Sequence, residues 1–321
     1  MRVAVTGSGG RLGSALTALL RSRPGVSGVL AWDLPEHNLD DPASAGRLVS
    51  ANRPDVVIHA AAWTDVDGCA RDPRLAMRRN GLATGEMAHA CASMGAALIV
   101  ISTNEVFDGR RTDGIPYGPA DATNPGNPYG AAKLAGELAA REAFGATDRD
   151  FAEAAAGNAV AGSRRPPALA IVRTAWLFGL PGADFPQKIL AAAEKSRAAG
   201  QTLSLVSDEI GCPTYALDLA RAIVDLIEAA KGPANRSLGG IHHIVNGGYA
   251  SRAEWAREVL RVAGIDVPTQ DVPLSTWPRP STPPLWGVLR PTPLPLGPLR
   301  SWQSALAEYS TSLPKSVEAD Q

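Results

Sequence analysis

A tyrosine followed by a lysine one helical turn later is the residue pair in this sequence best suited to chemistry. Tyr129 is the only one of five tyrosines with a lysine four residues on. Asn127 can cap a helix here and Pro128 suits its first turn, so both side chains fall on one helix face. A neighbouring ammonium favours the phenolate and lowers a tyrosine pKa from about 10 toward neutrality. The spacing therefore indicates proton transfer by Tyr129 beside Lys133, and the alternative is a surface pair without a task.

Glycines at three-residue intervals follow the first predicted strand and stand directly before a predicted helix. The segment is Thr6-Gly7-Ser8-Gly9-Gly10-Arg11-Leu12-Gly13. Gly7 permits a tight turn, Gly10 lets the backbone approach a pyrophosphate, and Gly13 lets the helix lie close to the sheet. The start of the helix, with Arg11 and Leu12, then faces the phosphates. We interpret the segment as a dinucleotide-binding turn, although an ordinary glycine-rich turn has the same composition.

Asp33 stands at the end of the second predicted strand, twenty residues after Gly13. An acidic side chain there can accept hydrogen bonds from the adenosine ribose hydroxyls of a dinucleotide, which favours NADH over NADPH. The competing interpretations are an acidic turn before a helix and a contact by Asp40, next to Leu39, that flanks the adenine. The sequence therefore predicts NADPH or NADH as the cofactor and leaves the choice between them open.

The fourth predicted strand ends in two hydroxyl residues, Ser102 and Thr103. Ligands of open α/β folds bind at the carboxyl edge of the sheet, so either hydroxyl can hydrogen-bond a substrate carbonyl there. Capping of the strand end is the simpler explanation of such residues. They support an active site only in combination with the tyrosine and lysine.

Short apolar segments alternate with helical ones through the first half of the chain. The predicted strands are residues 2–6, 26–32, 55–61, 97–102 and 168–174, and the predicted helices are 11–22, 43–52, 73–94 and 128–143. This alternation predicts an α/β fold with a Rossmann-like doubly wound parallel sheet.

A smaller C-terminal substrate-binding lobe completes the predicted organisation. We expect a dinucleotide-binding Rossmann domain over residues 1–175, with later segments near 215–246 packing back onto it, and the substrate-binding lobe over 176–321. Ten prolines between residues 268 and 298 predict an extended segment across the surface of that lobe. Residues 145–167 have the composition of a poorly ordered insertion, and their role as a lid is left open.

Charge and cysteine content exclude several classes of function. Thirty-one Lys and Arg balance thirty-two Asp and Glu, without a long run of one sign that would bind nucleic acid or a membrane surface. No stretch of eighteen apolar residues and no signal-peptide pattern occurs. Three cysteines without a CxxC spacing predict neither disulfides nor a metal site. We therefore expect a cytoplasmic protein without a metal, a nucleic acid or a membrane as partner.

Seven motifs in a fixed order carry a resemblance to a known family. They are Thr6-Gly7-x-x-Gly10-x-x-Gly13, His59-Ala60-Ala61-Ala62-Trp63-Thr64, Asn80-Gly81, Ser102-Thr103-Asn104-Glu105-Val106-Phe107-Asp108-Gly109, Asn127-Pro128-Tyr129-Gly130-x-x-Lys133, Arg173-Thr174-Ala175-Trp176-Leu177-Phe178-Gly179 and Gly211-Cys212-Pro213-Thr214. The set resembles the extended short-chain dehydrogenase/reductases. Within them it is most similar to the dTDP-4-dehydrorhamnose reductase family, over residues 1 to about 265.

The resemblance implies reduction of the C4 ketone of a nucleoside-diphosphate 4-keto-6-deoxy sugar by a hydride from NADPH or NADH. By this resemblance Tyr129 donates a proton to the ketone oxygen, Thr103 hydrogen-bonds the same oxygen, and Lys133 holds the nicotinamide ribose and lowers the tyrosine pKa. The other residues that it implies are Ala60, Ala61, Ala62 and Thr64 for the cofactor and Asn104, Glu105, Trp176 and Thr214 for the substrate. A nucleotide sugar is the expected partner, and a homodimer is left open.

Some positions depart from the family pattern. Asn104 and Glu105 stand where the family usually has aspartate and tyrosine, and Gly287 stands where a serine is expected. Glu105 then either hydrogen-bonds sugar hydroxyls or points to solvent. Two alternative functions follow: a related ketoreductase or epimerase for another activated sugar, and a cofactor-binding regulatory subunit similar to the β subunit of methionine adenosyltransferase.

Overall fold

A computed structural model describes residues 1–147, 168–231 and 238–312 of the chain. Most of the insertion predicted over 145–167 therefore lies outside the described residues. The strands are β1 (Arg2–Thr6), β2 (Gly28–Trp32), β3 (Val56–His59), β4 (Ala97–Thr103), β5 (Leu169–Thr174), β6 (Leu177–Phe178), β7 (Leu203–Val206), β8 (Ile210–Gly211), β9 (Thr214–Tyr215), β10 (Gly240–His243), β11 (Ala250–Ser251) and β12 (Thr269–Val272).

Helices connect these strands and cover the sheet. They are α1 (Arg11–Arg21), α2 (Ser44–Asn52), α3 (Val66–Arg71), α4 (Pro73–Ala76), α5 (Ala83–Met94), α6 (Pro128–Ala143), α7 (Phe185–Ala198), α8 (Ala216–Lys231), α9 (Arg252–Ala263) and α10 (Trp302–Ser310). The helix predicted over 73–94 is interrupted by a π-helical turn, Met77–Leu82. Within this turn the Asn80 side chain bonds to both backbone groups of Trp63, and wide turns of this kind are frequent at functional sites.

Six parallel strands form the central sheet in the order β2, β1, β3, β4, β5, β10. The strand order reverses between β1 and β3, which opens a crevice at the carboxyl ends of these two strands. One face of the sheet packs on α1 and α8, the other on α2, α5 and α6. The α/β doubly wound parallel sheet predicted from the alternating pattern is confirmed.

Segments beyond the first half of the chain return to the sheet. Strand β10 pairs with β5, and α8 packs against α1 through Leu219 and Ile223. A separate apolar cluster that includes Phe178, Trp255 and Tyr309 holds α9 and α10 together. This second cluster forms the core of the smaller lobe.

The proline-rich segment is extended, but it is not confined to the surface as predicted. It begins with β12, which pairs only with β7 among the described strands. Farther on, Trp286 and Leu289 form isolated bridges to Ile210 and Tyr117, and Val288 and Leu289 are 1% and 2% exposed. Because proline limits ladder pairing without preventing burial, the segment serves as packing between the sheet and the smaller lobe.

Helix α6 lies unusually close to the elements around it. Asn127 caps it by accepting a hydrogen bond from the N–H of Gly130 at 2.9 Å, as predicted. A Cβ atom on Gly130 would collide with the carbonyl oxygen of Glu105, and one on Gly136 would lie 2.7 Å from the carbonyl oxygen of Asn80. Both positions therefore require glycine if α6 is to reach the end of β4.

A buried ion pair fixes the far side of the same helix. Glu137 and Arg173 are 2% and 3% exposed at their side chains and are joined at 2.7 Å and 3.0 Å through two nitrogens of the guanidinium. The hydroxyl of Ser102 also donates to Glu137. This network ties α6 to β4 and β5, and removal of one charge would leave the other desolvated without a partner.

We expect Glu137→Gln to lower the free energy of unfolding by about 3–5 kcal/mol, because Arg173 would remain buried and unpaired. Chemical denaturation followed by circular dichroism measures the change. Glu142→Gln, at an exposed position of the same helix, is the control and should stay within about 0.5 kcal/mol of the parent. Equal free energies of unfolding for the two variants would contradict the proposed contribution of the ion pair to stability.

Candidate active site

A cavity of about 670 Å³ occupies the crevice at the carboxyl ends of β1, β3 and β4. Nearly all site residues predicted from the sequence line it. They are Gly7, Gly10, Arg11, Leu12, Gly13, Asp33, Leu39, Ala60, Ala61, Ala62, Thr64, Thr103, Asn104, Glu105, Tyr129, Lys133 and Trp176. The fold thus brings segments together that are more than a hundred residues apart in the chain.

The glycine turn after β1 forms one end of this cavity. Gly7 has φ +64°, and a Cβ atom on it would lie 2.8 Å from the Cα atom of Ala61. A Cβ atom on Gly13 would collide with the carbonyl oxygen of Gly7, so α1 can start this close only with glycine. Gly10 precedes α1 without a side-chain cap, which leaves the first N–H groups of the helix available to an anion. The geometry fits the pyrophosphate of a dinucleotide.

Asp33 lies beside this turn and is half-buried. Its carboxylate accepts hydrogen bonds from the N–H groups of Gly9 and of Leu34, the latter at 2.8 Å. These bonds hold the loop after β2 against the glycine turn. The carboxylate therefore has a fixed position at the wall of the cavity.

An ion pair that the sequence did not predict lies on the same side of the cavity. Arg79 binds Asp40 at 2.7 Å, and this hydrogen-bonded guanidinium holds the pKa of Asp40 below its usual range. Arg79 also lies over the ring of Trp63 at 5.7 Å. Sequence reasoning missed Arg79 because it lies inside a helical segment with no spacing signal, and only the π-helical turn directs it to the cavity.

Thr103, Tyr129 and Lys133 meet at the opposite end. Thr103 is the last residue of β4, while the other two lie on the first turns of α6. The hydroxyl of Thr103 donates to the side-chain oxygen of Asn104 at 3.3 Å and lies close enough to the phenol of Tyr129 to influence its pKa. Lys133 is 3% exposed, and burial lowers its pKa to about 8, against the opposite effect of the nearby Glu137 carboxylate.

The pKa of Tyr129 is raised, whereas the neighbouring lysine led us to expect a lower value. Burial of the phenol is the largest cause, and the negative charge of Glu105 acts in the same direction. The nearby hydroxyl of Thr103 opposes them and is weaker in effect. Tyr129 in this structure therefore holds its proton at neutral pH, which suits a proton donor.

Two departures from the family pattern contact each other. The amide nitrogen of Asn104 donates to the carbonyl oxygen of Gly287 at 3.3 Å, and a Cβ atom at position 287 would collide with that same nitrogen. An asparagine at 104 in this conformation therefore requires glycine at 287. The two changes form one local arrangement at the end of β4, beside the cavity.

Glu105 lines the cavity instead of pointing away into solvent. Its carboxylate accepts a hydrogen bond from Asn127 at 2.6 Å. Burial raises the pKa of Glu105 to about 7, with a further rise from Glu209, while Asn127 and Arg252 act in the opposite direction. Near neutral pH this side chain can both donate and accept hydrogen bonds.

The two residues predicted on the substrate side beyond β5 have different environments. Trp176 lines the cavity, with φ +43° and its ring in contact with the guanidinium of Arg252 at 3.6 Å. Thr214 is fully buried, does not line the cavity, and donates its hydroxyl to the carbonyl oxygen of Cys212 at 3.1 Å. The structure therefore does not bring Thr214 to the site, because β9 turns its side chain into the protein.

Within residues 1–147, 168–231 and 238–312, no cluster of His, Cys, Asp or Glu has an arrangement that could hold a metal ion. Across the same ranges, no helix is long and apolar enough to cross a membrane.

Comparison with known proteins places the chain in a family. The model of the RmlD substrate binding domain matches residues 1–147 and 154–314. A dTDP-4-dehydrorhamnose reductase of Mycobacterium tuberculosis is 36% identical, over 99% of this chain and 95% of the relative. A dTDP-4-keto-6-deoxy-D-glucose reductase of Streptomyces niveus is 32% identical, over 95% of this chain and 94% of the relative.

Solved structures agree with the sequence relatives. A dTDP-4-dehydrorhamnose reductase of Clostridium acetobutylicum superposes with a TM-score of 0.81 at 30% identity, over 97% of this chain and 99% of the other. One from Bacillus anthracis, in complex with NADP, has a TM-score of 0.79 at 26% identity, with the same coverage. The chain belongs to the dTDP-4-dehydrorhamnose reductase (RmlD) family of extended short-chain dehydrogenase/reductases.

Proposed function

We propose that this protein reduces the C4 ketone of a nucleoside-diphosphate 4-keto-6-deoxy sugar with NADPH or NADH. The observation that carries the proposal is one continuous cavity with a dinucleotide-binding turn at one end and Thr103, Tyr129 and Lys133 at the other. The relatives named above, which reduce dTDP-linked keto sugars by name, support the same reaction. The intact trio argues against a purely regulatory subunit, which would not need a proton donor.

The dinucleotide, when bound, supplies the hydride that adds to C4 of the sugar. Asp33 would hold the adenosine ribose hydroxyls, and the open N-terminus of α1 would hold the pyrophosphate. Lys133 would contact the nicotinamide ribose as an ammonium. The short side chains of Ala60, Ala61 and Ala62 leave room for the cofactor along the wall of the cavity.

Proton transfer completes the reduction. The ketone oxygen would accept hydrogen bonds from the hydroxyls of Thr103 and Tyr129, which align it for attack. As the carbon–hydrogen bond forms at C4, negative charge develops on the oxygen, and the phenolic proton of Tyr129 moves to it. An alkoxide is more basic than a phenolate, so the raised pKa of Tyr129 still permits this transfer.

The compartment and the identity of the sugar are finer parts of the proposal. All three cysteines are buried and unpaired, which suits the reducing cytoplasm.

The contact between Asn104 and Gly287, together with Glu105 at the cavity wall, favours a sugar that differs from that of the typical family member. A related ketoreductase for another activated sugar is therefore the second candidate, and a homodimer stays a hypothesis.

A panel of nucleotide-linked 4-keto sugars, followed by nicotinamide absorbance, tests the function directly. We expect one equivalent of NADPH or NADH to be consumed per sugar reduced. An epimerase would convert the sugar without net consumption of the cofactor. Absence of turnover together with a stoichiometric protein partner would instead support the regulatory subunit.

Tyr129→Phe should lower kcat by about 10²–10⁴-fold, because the substitution removes the phenolic hydroxyl and with it the proton that would be donated. Dinucleotide affinity, measured by fluorescence titration, should remain unchanged. Tyr249→Phe is the matched control, since Tyr249 is 54% exposed and does not line the cavity. Full turnover in the Tyr129 variant would remove this residue from the mechanism.

Asp33→Ala should weaken NADH binding more than NADPH binding, because only the ribose with a free 2′-hydroxyl can donate to this carboxylate. Dissociation constants for both cofactors, measured by fluorescence titration, provide the comparison. Asp41→Ala is the control, because Asp41 lies exposed in the same loop and pairs with Arg47. Equal losses of affinity for NADH and NADPH would count against the ribose contact.

A further inference from the structure

Arg252 is a cation of the cavity wall that belongs to none of the sequence motifs. It is the first residue of α9, in the smaller lobe, and its side chain lines the same cavity as the glycine turn. At 23% side-chain exposure it is partly open to the cavity. Its position therefore differs from that of every residue proposed above to contact the dinucleotide.

Glu209 fixes one edge of the Arg252 guanidinium. Atom Nε and one terminal nitrogen donate to the same carboxylate oxygen of Glu209, at 3.1 Å and 2.8 Å. The backbone N–H of Arg252 also donates to the carbonyl oxygen of Glu209 at 3.0 Å. Within the described part of the chain, the other terminal nitrogen, Nη1, makes no hydrogen bond. One edge of the planar guanidinium is therefore held by Glu209, and the donors of the other edge are available to a ligand.

Trp176 supports the flat face of the same guanidinium. The Cζ atom of Arg252 lies 3.6 Å from the centre of the indole, and Trp255 stacks on Trp176 with a centroid distance of 5.6 Å. A Cβ atom on Gly211 would lie 2.5 Å from the indole ring, so the ring is pressed onto that backbone. Trp176 has φ +43°, a strained conformation for tryptophan, and such strain is concentrated at ligand-binding sites.

The other cations that line the described cavity lie near the glycine turn, near Asp33 or beside the reacting phenol. Arg11 donates to the carbonyl oxygen of Gly179, and Arg79 is paired with Asp40 at the Asp33 side of the cavity. Lys133 is buried beside the reacting phenol. Among the cations that line the described cavity, Arg252 is therefore the one that the smaller lobe contributes.

We propose that Arg252 binds the diphosphate of the nucleotide sugar, with Glu209 as its positioning residue and Trp176 as the surface beneath it. This inference rests on the proposed function. A guanidinium held at one edge presents planar donors at the other, which is the geometry that suits two phosphate oxygens. Arg252, Glu105 and Tyr129 line the same cavity, so a diphosphate held by Arg252 would leave the sugar in the space that the phenol also faces.

The negative charge of Glu105 opposes an anion at this place. The pKa of Glu105 is raised to about 7, so close to neutral pH a large fraction of this side chain is uncharged. Binding of a diphosphate at Arg252 would favour that uncharged form further. A diphosphate at Arg252 would therefore lie beside a Glu105 side chain that is largely uncharged, and the repulsion between the two groups would be small.

The test compares Arg252→Met and Arg252→Lys with Arg261→Met, an exposed arginine on the same helix. Measured quantities are kcat and KM for the keto sugar nucleotide, the inhibition constants of the free nucleoside diphosphate and of the free nucleoside, and the dissociation constant of NADPH. Arg252→Lys retains a cation beside buried Glu209, so this variant should fold and can still be measured if Arg252→Met does not fold.

We expect Arg252→Met to raise KM and the inhibition constant of the nucleoside diphosphate by about 10–100-fold, the range for a lost hydrogen bond to a charged group. The inhibition constant of the nucleoside, the affinity for NADPH and kcat should change by less than about threefold. Arg252→Lys should show a smaller rise in KM, and Arg261→Met none.

Unchanged affinity for the nucleoside diphosphate would overturn the inference, as would equal losses for nucleoside and nucleoside diphosphate. The second result would mean that Arg252 only supports Trp176. If the parent protein reduces no keto sugar, the proposed function fails. Calorimetric titration with the nucleoside diphosphate would then still decide whether Arg252 binds it.

Discussion

The approach of helix α6 to the end of strand β4 is the constraint on which the rest of the site depends. Gly130 and Gly136 permit this approach because any larger residue would collide with backbone oxygens. The buried pair of Glu137 and Arg173 then holds the helix at that position from behind. If α6 moved outward by the width of a methyl group, Tyr129 would lose its contact with Thr103, and no pKa shift could compensate for the lost geometry.

Local sequence signals predicted the parts of the molecule that local interactions determine. The strand and helix alternation, the glycine turn and the Asn127 cap depend on neighbouring residues, and the structure has them where the sequence placed them. The pKa of Tyr129 could not be predicted in this way. A spacing of four residues shows that a lysine is near, but it does not show that burial and Glu105 raise the pKa of the phenol.

Residues that reach the cavity from distant segments left no such signal. Arg79 depends on a π-helical turn, and Arg252 depends on how α9 packs against Trp176. Thr214 shows the opposite case: the resemblance predicts it at the substrate, whereas in the structure its hydroxyl donates within its own loop. The division of the chain into two domains near residue 175 also stays a prediction. Strand β10 and helix α8 lie beyond that boundary and pack on the first sheet, through contacts that only the tertiary structure defines.

Three of the cations that line the described cavity share an electrostatic design. Arg79 has Asp40, Arg252 has Glu209, and Lys133 has Glu137 as a nearby carboxylate. A partly buried cation without a partner would be costly to desolvate, whereas a fully neutralised one would attract no anionic ligand. A cation that is paired with a carboxylate on one side only resolves this conflict. Its charge is stabilised before the ligand arrives, and its remaining N–H donors are free to bind the ligand. A ligand with several phosphates can then bind in a cavity whose own charges nearly cancel.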